Sequence, residues 1–144
     1  MTAAVTWGIK SCTFTPAGGT LESFTDLTDM SFDDSINLQE LLTDNNVNIN
    51  LVFGTGGKTE CTIKSTDSSL GWRSTSPPGT AGILVMVFGK RAAGKGYVAA
   101  ADKTFTASNA VMGKRSVSAS AASAGSLDIP FTCFDTGSGL FAIT

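Results

Sequence analysis

Gly89, Lys90, Arg91, Ala92, Ala93, Gly94 and Lys95 follow an apolar run and match G-x-x-x-x-G-K. In that pattern the backbone N–H groups of a glycine-rich loop cradle phosphates and the lysine reaches the terminal ones. The match fails at the next position, where Gly96 stands in place of the Ser or Thr that holds Mg²⁺. Tyr97 to Asp102 is also too short to be the helix that must follow, and the chain shows no alternating βα pattern. The segment therefore reads as a basic loop between two strands. Gly54 to Thr59 looks similar, but Val52 occupies the first glycine position, and Gly54 to Gly57 reads as a turn.

The acids from Glu22 to Asp44 are the next group with chemical potential, as paired carboxylates or oxygen ligands for a cation. Their spacing matches no calcium loop, and they lack the flanking aromatics of a sugar cleft. They read as a solvated acidic face. Histidine is absent, which removes every Ser/His/Asp triad, Cys/His dyad and His-ligated metal site. Cys12, Cys61 and Cys133 are odd in number and widely spaced among alternating residues. They read as buried free thiols, not as a disulfide framework or a metal site. No catalytic residue, cofactor or metal is expected.

The elements that carry these residues are strands. With 144 residues, 42% hydrophobic and 15% charged, the chain suits one domain over 1–144 with a conventional core. Val47, Ile49, Leu51 and Phe53 alternate with Asn46, Asn48 and Asn50, the mark of a half-buried strand. Thr59, Cys61 and Ile63 resume the alternation after Gly54 to Gly57, which predicts a hairpin across that turn. Val5, Trp7 and Ile9 share one phase and Cys12 and Phe14 the other, so a bulge is required near Lys10 and Ser11. Residues 28–38 read as strand, with a short helix over Ser35 to Leu42 as the alternative.

Ile83 to Phe88 is continuously apolar and reads as a central strand buried on both faces. Strands follow near 96–107 and 114–121, then along Leu127, Ile129, Phe131 and Cys133, where Pro130 suggests an edge or a bulge. Residues 66–80 have loop composition and contain the isolated aromatic Trp72. The fold class is all-β: an antiparallel β-sandwich or partly closed barrel, with one short helix left open. The longest apolar run falls far short of a membrane-spanning helix, and the first residues lack the basic start and apolar run of a signal peptide.

Charge is unevenly spread. Residues 1–57 hold seven acids against Lys10 alone, and residues 58–144 hold nine bases against five acids. The net charge of -2 argues against a dedicated nucleic-acid binder. The asymmetry instead suggests an acidic patch that meets the basic patch of the next copy, with complementary potentials setting register. The candidate contacts are Asp26, Asp29, Asp33 and Asp34 on one side and Trp72, Arg73, Lys90, Arg91 and Lys95 on the other.

The order and character of the segments resemble the short, single-domain phage tail tube proteins. The resemblance rests on the early strand around Trp7, the acidic Thr25 to Asp34 segment leading to Leu41 to Asp44, and the Val47 to Ser65 alternation ending in Asp67. It continues through the long loop to Gly79, the apolar Ile83 to Phe88, the alternating Ser116 to Ala121 and the closing Leu127 to Phe134 strand with its Asp135 to Gly139 turn. It implies a β-sandwich subunit that forms hexameric rings, stacked into a tube through which DNA passes as transient, non-specific cargo. The partners it implies are further copies of the chain and other virion tail proteins, with no membrane. Its implied location is the virion tail, assembled in the host cytoplasm. The alternative is a capsid decoration (cement) protein or other immunoglobulin-like binding module.

Overall fold

The structure is a computed structural model and describes residues 6–41, 51–67, 76–91, 102–135 and 139–144. Among the described residues there are nine strands and no helix: β1 (Thr6–Pro16), β2 (Glu22–Phe24), β3 (Leu27–Leu41), β4 (Leu51–Ser65), β5 (Ala81–Arg91), β6 (Lys103–Met112), β7 (Ser116–Ser120), β8 (Ser123–Cys133) and β9 (Ala142–Ile143). Every pairing is antiparallel, and the order along the sheet is β2-β1-β5-β6-β8-β4-β3, with β7 on β8 and β9 on β6. Among the described residues the sheet is not closed into a barrel. It folds over so that β1, β5 and β6 face β8, β4 and β3. The ring of Phe14 on β1 lies 4.9 Å from that of Phe131 on β8, and Phe32 on β3 stacks on Phe105 of β6 at 4.8 Å.

Alternation is what makes these strands, since each buries every second side chain. Leu127, Ile129, Phe131 and Cys133 of β8 are all buried, as are Phe105 and Ala107 of β6. On β1 the register shifts between Ile9 and Ser11, so Ile9 and Cys12 both face the core despite their opposite parity. The bulge expected at Lys10 and Ser11 is therefore present, and it reconciles the two phases on one face. Pro130 lies opposite Thr62 within β8, and its carbonyl accepts from Gly113 N–H at 2.7 Å. A strand residue points its N and its carbonyl the same way, so the missing N–H faces Gly113, where the neighbour of β8 changes from β6 to β7.

Three expectations are corrected. The turn at Gly54 to Gly57 is strand: β4 runs unbroken from Leu51 to Ser65 with β3 beside it. Between Ser35–Lys58 and Asn37–Thr55 the ladder sets Gly56 and Gly57 against Ile36 alone, a bulge for which Gly56 supplies a φ of 65°. Gly54 has a different role, because a Cβ there would run into Ile36 Cδ1. β4 pairs antiparallel with β3, and the Val47 and Ile49 part of the predicted strand lies outside the described residues. Ser35 to Leu41 continues β3, not a helix. Finally, β5 is central in the sheet but covered on one face. Leu84 and Met86 are buried while Ile83 is 44% exposed.

Candidate interaction surface

The candidate contact residues separate onto three parts of the fold. Asp29 and Asp33 sit on the outward face of β3, opposite Lys64 and Glu60 of β4. Lys58 bridges Glu60 at 2.9 Å, which offsets the like charges of Asp33 and Glu60. Asp34 faces inward and accepts from Thr59 Oγ1 at 2.7 Å, satisfying a hydroxyl that is fully buried. Asp26 occupies the corner between β2 and β3 with a φ of 52°. Its carbonyl accepts from Thr66 N–H at 3.1 Å and from the buried Ser65 hydroxyl at 3.2 Å. Its backbone thus closes the corner onto the end of β4.

Lys90 and Arg91 end β5 in the facing layer, in register with Trp7 and Thr6. Gly89 to Arg91, the start of the phosphate-loop match, is therefore paired strand. Arg91 and Asp26 line one cleft with Trp7, Lys10 and Phe24. An acidic and a basic candidate come together there. Trp72, Arg73 and Lys95 lie outside the described residues.

Sequence reasoning missed a feature that exposes four large apolar side chains. β8 pairs with β4 only from Thr59 to Ser65, whereas β3 and β4 continue together through 35–41 and 51–58. Those residues form a two-stranded ribbon to which no third described strand is paired. On it Ile36, Leu38, Val52 and Phe53 are 56%, 65%, 51% and 46% exposed. Leu38 opposes Gly54, Glu40 opposes Val52 and Ile36 lies over Gly54, so Ile36, Leu38, Glu40 and Val52 share one face. That face is the outward continuation of the core positions Met30 and Phe32. The signal for it was present in the spacing of Ile36 and Leu38 from Met30 and Phe32, but which residues lack a second layer depends on where β8 ends.

At the base of the ribbon, Ile36 and Gly57 line a hollow with Leu140 and Phe141. Phe141 stacks on Phe105 at 4.8 Å, and Thr144 exchanges both backbone hydrogen bonds with Thr104. The C-terminal segment thereby covers the part of β6 that β8 does not reach. The three cysteines are free and buried, as expected. Burial pushes the Cys12 thiol well above the ordinary range, and the hydrogen bond to Cys133 together with burial does the same to Cys61. No family model and no curated protein matches the chain.

Proposed function

We propose that the chain is a structural virion protein that associates with further copies of itself into hexameric rings, stacked as the tube of a phage tail. The β3–β4 ribbon carries this reading. A two-stranded ribbon with four large apolar side chains exposed gains its stability from something packed on it. Supporting it, β3 forms one end of the sheet over 15 residues, an edge that further strands can join. Its acids Asp29 and Asp33 discourage pairing with an identical acidic edge and favour a basic one. The reading needs no catalytic residue and no cofactor, and DNA enters it only as cargo.

Sedimentation velocity over a concentration series, followed by negative-stain microscopy at moderate and high salt, tests it. Six-fold rings or hollow tubes are expected, dissolving as salt screens the charged contacts. A chain that stays monomeric at all concentrations and binds an empty capsid lattice would replace this reading with that of a decoration protein.

A further inference from the structure

The two layers part at one end of the molecule, leaving an open mouth. Trp7, Phe32, Phe88, Lys103, Phe105 and Ile143 line a cleft there of about 450 Å³, apolar apart from the lysine. Trp7 is 48% exposed and Ile143 51%. Lys90, in register with Trp7, shares the inward face of β5 with Phe88. The β3–β4 ribbon leaves the body at this same end, since Phe32, Asp34, Ile36 and Leu38 are successive inward positions of β3. Leu38 at 65% exposed is not seated in its own mouth.

We propose that the ribbon of one copy lays its Ile36, Leu38 and Val52 face over the mouth of a second copy, with Glu40 meeting Lys103 and Lys90. The inference rests on the self-assembling reading above and adds which surfaces meet. Both surfaces are apolar, and each leaves aliphatic or aromatic groups in water that the other would cover. Their charges are opposite. The ribbon face that carries Ile36 and Leu38 has Asp34 and Glu40 and no base among the described residues, while Lys90 and Lys103 stand at the mouth. The neighbouring Asp102 is engaged by Lys10 at 2.6 Å. Ribbon and mouth are different patches, and a head-to-tail contact between them repeats from copy to copy, closing into a ring or extending as a stack.

Two experiments on the full chain test it. In the first, a Leu38→Cys variant is mixed with a Lys103→Cys variant and oxidised. A disulfide between copies that needs both variants is expected, well above the yield when Ser118→Cys replaces Lys103→Cys. The native thiols are buried and do not compete. In the second, Glu40→Lys and Lys103→Glu are each expected to raise the concentration needed for assembly on the order of tenfold, and the double variant to restore it. All four positions are exposed, and urea unfolding of each variant verifies the fold. Wild-type rings with no cross-copy disulfide and no effect of either charge reversal would overturn the docking while leaving the ring reading in place. A wild-type chain that never associates would remove both.

Discussion

At the scale of single residues, burial governs the thiols. Burial raises the pKa of the Cys12 thiol above the ordinary value of 9.0, whereas the hydrogen bond shared by Cys61 and Cys133 raises the first and lowers the second, so their effects oppose. The unfolded chain loses the Cys12 proton near pH 9 while the folded chain keeps it, so ν for the unfolded state falls below that of the native state and stability drops as pH rises. Cys12 contributes a slope of about 1.4 kcal/mol per pH unit above that point. Urea midpoints measured from pH 8 to 10.5 should fall, and Cys12→Val should make the fall shallower than in wild type. Gly54 offers a second test, since its missing Cβ leaves room for Ile36. Gly54→Ala should displace the exposed Ile36 side chain at a cost of about 1 kcal/mol or less, and Ile36→Ala in the same chain should remove that cost, a coupling that a double-mutant cycle reads directly. The bulge at Lys10 and the buried thiols were legible from residue order, because both follow from side-chain parity alone.

At the scale of elements, β9 is the weakest strand and has the clearest consequence. It is two residues long, yet with Phe141 it covers the β6 edge beside Phe105 and Phe32. Phe141→Ala should lower stability by roughly 1–3 kcal/mol. It should also speed hydrogen exchange of the Thr104 amide, which donates to Thr144, while the amides of β8 keep their protection. β4 shows where local reading failed. Four turn-type residues in a row, Gly54 to Gly57, outweigh strand preference when only neighbours along the chain are counted. In the fold, β3 supplies a ladder on one side, and one bulge with Gly56 at positive φ absorbs the extra residue. Ile83 to Phe88 failed for a related reason: a continuous apolar run specifies a strand but not how many layers cover it.

At the scale of the whole molecule, the charge asymmetry of the sequence becomes a separation in space. Asp29, Asp33, Asp34 and Glu40 of the first half lie on β3, and those bases of the second half that end β5 and begin β6 lie in the facing layer. Association through such surfaces should weaken between 0.1 and 0.5 M salt, because the screening length falls from about 10 Å to roughly half that. The apolar part of the contact should not weaken. Replacing Ile36, Leu38 and Val52 together by serine should therefore abolish assembly at every salt concentration while changing the unfolding midpoint of the monomer little, since all three side chains are more than half exposed. Sedimentation velocity of wild type and triple variant over the same salt series checks both statements.

The sequence by itself determined the all-β class, most of the strand positions and the inward phase of β1 and β8, because a period of two is written in adjacent residues and needs no knowledge of partners. Only the tertiary structure decided that β4 pairs with β3 through its glycines, that the pairing of β8 with β4 stops at Thr59, and that the ribbon and the aromatic mouth share one end of the molecule. These depend on which strands meet and where each pairing stops, and residues far apart along the chain set both.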